Sequence, residues 1–290
     1  MIFIQNLTLA LVLLFVLNSS FASERSCREL DRGESISVDK SSAQSKSGVK
    51  QKYTIKKESE GVFTVYFKIN FYKRSNLEIR GIDGNENTPS AINEVYRSRF
   101  QNCYDFKQKY LKDELGRRLR LMVYDEDRDV DIEIPPQLQV EISNIKRSNS
   151  KLINSEASCS TIVHETMHWM GLSDEYEEKN SILNPNLFAR MFQHTLRPRE
   201  EDEDPKYAYD CRSVGRSESI MVSGRSLYLS GDIRVLDSGH IDTIVYPNCT
   251  SKNRIYYQCV SNAYRTSTDH GGAGCAEVPD ICKTREWTKR

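Results

Sequence analysis

The sequence has no excess of charge of either sign. Lysine plus arginine number 41, aspartate plus glutamate number 41, and the formal net charge of the 290 residues is zero. Proteins that bind nucleic acid or an anionic membrane surface usually carry a basic surplus. We therefore expect neither nucleic acid nor a lipid surface as a partner.

Long apolar runs are also scarce, and the only candidate stands at the start of the chain. Residues 2–17 are almost continuously apolar, and small residues follow up to Ala22. This pattern predicts a secretory signal peptide over residues 1–22. Since the run is shorter than the ~20 residues that a membrane span needs, we expect cleavage, no membrane association afterwards, and a secreted or periplasmic protein.

The cysteines never form a Cys-x-x-Cys pair, which argues against zinc-finger use. Their number is even, at eight, and an even number in an exported chain indicates disulfide bonds. Four of them fall in residues 248–290, so we expect a Cys-rich C-terminal extension with its own disulfides. Cys27 is a candidate disulfide partner, and the alternative is a thiolate that binds zinc in a latent form.

The pattern of apolar residues divides the rest of the chain. Residues 23–60 are polar and rich in serine and lysine, which predicts a flexible N-terminal arm or a pro-segment. Strict alternation of apolar and polar residues begins at residue 62 and predicts a half-buried strand. Thr88 and Pro89 then open a helical pattern that extends to about Leu115.

Further elements follow in an order that predicts an α+β fold. Strand patterns occupy residues 119–123, 130–134 and 138–142, and a second helix begins at about Ser155. Residues 177–217 have an irregular pattern, and residues 230–245 predict a closing helix.

The second helix carries the residues with the clearest chemistry. His164 and His168 are four positions apart, so on a helix their imidazoles point to the same side and can bind one metal ion. Glu165 is placed to reach a water molecule at that ion. Gly171 can adopt a positive φ and end the helix, and the chain can then bring Asp174 back as a third ligand.

The segment from His164 to Asp174 resembles the metzincin clan of zinc peptidases, whose signature is H-E-x-x-H-x-x-G-x-x-H/D. With aspartate in the last position it is similar to the smaller snapalysin-like group. The resemblance implies a Zn²⁺ ion held by His164, His168 and Asp174. It also implies a zinc-activated water with Glu165 as general base and acid, and a protein or peptide substrate.

The resemblance implies a fold and boundaries as well. They are a zinc metalloendopeptidase domain over residues 61–247, a twisted mixed sheet with a long helix and an active-site helix, and a small C-terminal subdomain. Residues 219–223 resemble the methionine turn of the clan, with Met221 as its methionine. Many relatives have tyrosine where this chain has Ser223, so Tyr176 and Tyr228 are the candidates for that role.

Several alternatives stay open. Glu175 stands beside Asp174 and is a second candidate for the third ligand or for a hydrogen-bond partner of a ligand. In other HExxH hydrolases a distant glutamate serves, and Glu200, Glu201 and Glu203 are the candidates here. The remaining histidines have a structural or surface interpretation; they are His194, His240 and His270. The alternative function is a noncatalytic exported binding protein with a structural zinc site and a Cys-rich interaction tail.

Overall fold

The computed structural model describes residues 27–41, 50–74, 78–79, 88–144, 148–172, 181–183, 196–198, 208–209, 219–221, 235–247 and 249. The predicted signal peptide and nearly all of the predicted Cys-rich extension lie outside these residues.

An open mixed sheet of six strands forms the body of the fold. Its strands are β1 Ser35–Ser41, β2 Lys50–Ser59, β3 Val62–Tyr72, β4 Arg118–Val123, β5 Gln137–Ser143 and β6 Leu152–Asn154. Strand β2 is antiparallel to both β1 and β3, whereas β3 is parallel to β4 and β5, and β5 is parallel to β6. Three helices accompany the sheet within the described residues, so the predicted α+β class is confirmed; they are α1 Pro89–Lys107, α2 Cys159–Trp169 and α3 Ser238–Val245.

Strand β3 confirms the prediction made from alternation. The apolar residues of its repeat are nearly inaccessible, at 2% exposure or less; they are Phe63, Val65, Phe67, Ile69 and Phe71. The strand is more buried than the predicted half, because Thr64 and Tyr66 on the other face are buried as well. Its first half pairs with both β2 and β4, and its second half with β5. Partners along the whole length of β3 satisfy its backbone N–H and C=O groups, so the strand can be buried inside the sheet without contact with water.

Strands β1 and β2 correct the prediction of a flexible arm over residues 23–60. They form an antiparallel pair that continues onto β3, and Tyr53 and Ile55 of β2 are fully buried. The sequence pattern did not predict these strands, because the two large apolar residues are surrounded by lysines and the segment is polar as a whole. Cys27 forms a disulfide with Cys249, which confirms that it is a disulfide partner and ties the segment to the chain beyond α3. Cys249 was expected to pair within residues 248–290, so for this cysteine that expectation is wrong.

Helix α1 begins as predicted and ends earlier. The Thr88 hydroxyl accepts a hydrogen bond from the amide of Ala91, and Pro89 occupies the first turn. The helix ends at Lys107 and continues as a 3-10 turn, Gln108–Tyr110. Further along, the buried carboxylate of Asp113 accepts hydrogen bonds from the amides of Leu115 and Arg117, so residues 113–117 form a turn where the helix was expected to continue to Leu115.

The predicted strand over residues 130–134 is wrong. Val130 and Ile134 are 73% and 59% exposed, and no ladder partner is assigned to this part of the described chain. The amide of Asp129 donates to the carbonyl of Asp125, and the Asp129 carboxylate accepts from the amide of Asp125. These local bonds fold the segment into a turn, and the strand begins only at Gln137, beyond the two prolines.

Two more boundaries differ from prediction. Helix α2 begins at Cys159, with the Ser158 hydroxyl as its N-cap. Helix α3 begins at Ser238, capped by Asp237, and the described residues 235–237 before it are not helical. Three short strands lie where an irregular segment was expected, and they form a second sheet; they are β7 Ser181–Leu183, β8 Leu196–Pro198 and β9 Ala208–Tyr209.

An aromatic cluster holds helix α2 against α1 and the sheet. The Trp169 ring stacks on Phe100 of α1 at 6.1 Å between centroids and meets Phe67 of β3 edge-on at 5.6 Å. The Cys103–Cys159 disulfide also joins α1 to the first residue of α2. Burial of each such ring stabilises the fold by roughly 1.5–3 kcal/mol, so α2 is a well-anchored element. Among the described residues, no helix combines the length and apolar character that crossing a bilayer requires.

Candidate metal centre

Helix α2 brings three candidate ligand groups together. One ligand atom from each of His164, Glu165 and His168 lies within 4.8 Å of the others. The two imidazoles are edge to face, with centroids 5.1 Å apart and planes at 86°. The helical spacing therefore places both histidines on one side of α2, as the sequence predicts, and the group can hold a metal ion.

Hydrogen bonds to backbone carbonyls fix the tautomer of both imidazoles. Nδ1 of His164 lies 2.8 Å from the carbonyl oxygen of Ile220, and Nδ1 of His168 lies 2.8 Å from that of Leu172. A carbonyl oxygen can only accept, so a neutral ring in this position has its proton on Nδ1 and its lone pair on Nε2. Histidines that bind metals are commonly oriented in this way.

Glu165 lies next to the ligand nitrogen of His168. Its side chain is nearly buried, at 7% exposure for the residue, and its Oε2 is 3.9 Å from His168 Nε2. An ionised carboxylate taken out of water is unfavourable unless positive charge stands near it. A divalent cation held by the two imidazoles would supply that charge.

The end of α2 confirms the predicted role of Gly171. Its φ is +93°, its amide donates to the carbonyl of His168, and the amide of Leu172 donates to that of Met167. These bonds close the helix and turn the chain back. Asp174, Glu175 and Tyr176 lie outside the described residues, so the identity of the third ligand stays a prediction.

The segment Ser219–Met221 contacts His164 of α2. The carbonyl of Ile220 accepts from His164, its amide donates to the carbonyl of Val235, and Met221 is fully buried. The segment that resembles a methionine turn is thus adjacent to a candidate ligand, and the assignment itself stays a prediction. Ser223 and Tyr228 lie outside the described residues.

His240 has the structural role that we favoured. It is fully buried, and its Nδ1 accepts a hydrogen bond from the amide of Asp237, whose carboxylate accepts from the amide of His240. This reciprocal pair caps the start of α3. The other candidates lie outside the described residues; they are His194, His270, Glu200, Glu201 and Glu203.

No sequence pattern indicated the two carbonyl groups that orient the histidines. Every residue has a carbonyl group, and the chain fold alone decides which one meets an imidazole. Two imidazole nitrogens and a nearby carboxylate are a donor set that suits zinc and other divalent transition metals, so the group could hold such an ion, and the geometry does not select among them.

Comparison of the chain with protein-family models, curated proteins and solved structures finds no match. What the site can do therefore rests on its own geometry.

Proposed function

We propose that the protein is an exported zinc-dependent endopeptidase of the metzincin type. In this proposal His164, His168 and Asp174 bind the zinc ion, and Glu165 is the general base and acid. The observation that carries it is the pair of Nδ1–carbonyl hydrogen bonds, which leave the Nε2 lone pair of each ring for a ligand role, in a group whose ligand atoms lie within 4.8 Å of one another and include the buried Glu165 carboxylate. The H-E-x-x-H-x-x-G-x-x-D pattern, which resembles the metzincin signature, also supports the proposal.

The proposed chemistry assigns one task to each group. A bound zinc ion would polarise the scissile carbonyl and make a water molecule more acidic. Glu165 accepts the proton of the attacking water and later donates it to the leaving amine. Its position next to His168 Nε2 and its low exposure suit this task, because a base in a water-poor site keeps its proton for the leaving group.

Export is supported by two kinds of observation. Two disulfides join described parts of the chain, Cys27–Cys249 and Cys103–Cys159, and disulfides are typical of chains that fold in an oxidising compartment. The apolar pattern of residues 1–22 predicts the signal that would deliver the chain there. The proposal is therefore a secreted or periplasmic location.

A chelation experiment tests the proposed activity. The protein is incubated with labelled unfolded casein before metal removal, after removal by a chelator, and after zinc is restored. We expect hydrolysis to disappear on removal and to return at about one zinc ion per chain, the stoichiometry of a single site. Hydrolysis that survives complete metal removal would contradict the proposal.

The alternative is a noncatalytic exported binding protein in which zinc is structural. The buried Glu165 argues against it, because a structural site needs no base beside its ligands. Zinc-loaded protein that cleaves none of a panel of unfolded proteins would favour this alternative.

A further inference from the structure

Strand β2, in the segment that the sequence indicated as a flexible arm, reaches the end of the metal-binding helix. The amide nitrogen Nε2 of Gln51 donates a hydrogen bond of 2.9 Å to the carbonyl of Met170, the last residue before Gly171. The Gln51 residue is 1% exposed. Its side chain therefore contacts the turn from inside the protein.

Gly171 and Gln51 fit together closely. A Cβ atom on Gly171 would lie 2.3 Å from Nε2 and 2.8 Å from Cδ of Gln51, far inside van der Waals contact. The φ of +93° already favours glycine at this position. Two constraints therefore favour glycine at position 171: the positive φ and the close approach of the Gln51 side chain.

The same turn orients a candidate ligand. The carbonyl of Leu172, one residue beyond Gly171, accepts the hydrogen bond from Nδ1 of His168. A shift of the turn would move this carbonyl and release the imidazole. Gln51 is therefore connected to the His168 ring through Met170, the turn and Leu172.

A buried amide at position 51 also has a cost. The Oε1 atom of Gln51 is buried and has no hydrogen-bond partner among the described residues. A buried polar atom without a partner destabilises a fold, and an apolar side chain of similar shape would avoid this. The hydrogen bond from Nε2 to the carbonyl of Met170 is the one interaction that an apolar side chain at position 51 could not make.

We propose that Gln51 is a positioning residue of the metal site, which holds the turn after α2 so that His168 stays aimed at the ion. The proposal rests on the proposed metal site and adds a residue from outside the motif. It also makes strand β2 part of the functional protein, because removal of residues 50–59 as a pro-segment would remove this contact.

The test compares zinc affinity with stability in the full-length chain. Gln51→Met keeps the side-chain volume and removes the donor. Gln101→Met is the matched control, because Gln101 also bonds a backbone group, the amide of Val123, and is bonded to α1 and β4 rather than α2. Zinc affinity is measured by competition with a chromophoric chelator, and the melting temperature is measured without and with zinc.

We expect Gln51→Met to bind zinc about tenfold more weakly, the lower end of the effect of residues that orient a ligand directly. Its melting temperature should rise less on zinc addition than that of the wild type. Gln101→Met should lower both melting temperatures alike and keep the wild-type zinc affinity. Wild-type zinc affinity in Gln51→Met would overturn the proposal and leave Gln51 as a structural residue.

A second set of variants keeps the test decisive if Gln51→Met folds poorly. Gly171→Ala should weaken zinc binding, whereas Gly33→Ala should not, since Gly33 has a φ of +82° and open space around it. In Gly171→Ala/Gln51→Ala the new methyl group meets no amide, so zinc should bind no more weakly than to Gly171→Ala alone. If the two losses multiply instead, Gln51 does not act through the turn. If the wild-type chain binds no zinc, the proposed metal site itself is wrong. This outcome differs from failure of the Gln51 proposal, because the wild type and every variant would then all lack zinc binding.

Discussion

The imidazole of His164 and the carbonyl of Ile220 are joined by a hydrogen bond of 2.8 Å although 56 positions separate them in the chain. The bond fixes Nδ1 as the donor and leaves the Nε2 lone pair for a ligand role. It also fastens the segment Ser219–Met221 to the helix that carries the motif. Orientation of the site therefore depends on parts of the chain far from the motif.

Loss of either motif histidine should abolish tight zinc binding. We expect His164→Ala and His168→Ala to weaken zinc affinity by more than about 100-fold, because each removes a ligand rather than a group that supports one. His240→Ala is the control: it should cost about 1–3 kcal/mol of stability, because the buried Asp237 amide loses its acceptor, and leave zinc affinity unchanged. Competition with a chromophoric chelator measures the affinities. Wild-type affinity in both motif variants would place the metal elsewhere.

The third ligand can be identified by a pair of neighbouring substitutions. We expect Asp174→Ala to lose zinc and Glu175→Ala to retain it, because the spacing from Gly171 matches the ligand position of the motif. Elemental analysis after dialysis gives the zinc content of each variant. A combined change of Glu200, Glu201 and Glu203 to glutamine should leave zinc bound. The reverse result for the adjacent pair would make Glu175 the ligand.

The sequence predicted those parts of the fold that have strong periodicity. Strand β3 alternates over its full length, and α2 combines helical spacing with a glycine end, so both were found, although α2 begins at Cys159 and not at about Ser155. Residues 130–134 alternate equally well but are acidic at every second position. Local hydrogen bonds of Asp125 and Asp129 form a turn there instead. Alternation alone cannot separate these two outcomes.

The rest of the site depends on contacts that leave no mark in the sequence. Gln51 stands in a lysine-rich segment, and only the pairing of β2 with β3 brings that segment beside α2. The carbonyls of Ile220 and Leu172 are common to every residue type. His164, Glu165 and His168 were predictable because a helix fixes the relation between neighbours, and long-range contacts have no such rule.

The disulfide between α1 and α2 should contribute strongly to stability. Cys103 and Cys159 are 56 positions apart, so the bond restricts a long loop of the unfolded chain. We expect Cys103→Ser/Cys159→Ser to lower the free energy of unfolding by roughly 2–5 kcal/mol, measured in urea. The double variant avoids a lone reactive thiol. An unfolding free energy equal to that of the wild type would show that packing of the aromatic cluster alone fixes α2.

Stability should decrease in acid through Glu29. Burial raises the pKa of this carboxyl group, but the hydrogen bond and charge of Lys57, with smaller effects of Tyr246 and Arg117, lower it below the ordinary value of 4.5 overall. A lowered folded-state pKa stabilises the protein above 4.5, and this stability is lost as the pH falls through the folded-state value.

Urea unfolding at about pH 6 and about pH 3 measures this effect. Since the Glu29 side chain keeps 39% exposure, solvent screening limits its share to about 1 kcal/mol at most. Glu29→Gln should therefore lose slightly less stability between the two pH values than the wild type. An identical or larger loss in the variant would contradict the assignment.

The most direct measurement is the hydrolysis rate of Glu165→Gln per bound zinc ion, compared with the wild type. Glutamine keeps the size of the side chain beside His168 and cannot accept a proton from water. We expect the variant to retain about one zinc ion per chain and to cleave unfolded casein about 10²- to 10⁴-fold more slowly. A zinc-loaded variant that cleaves as fast as the wild type would contradict the account.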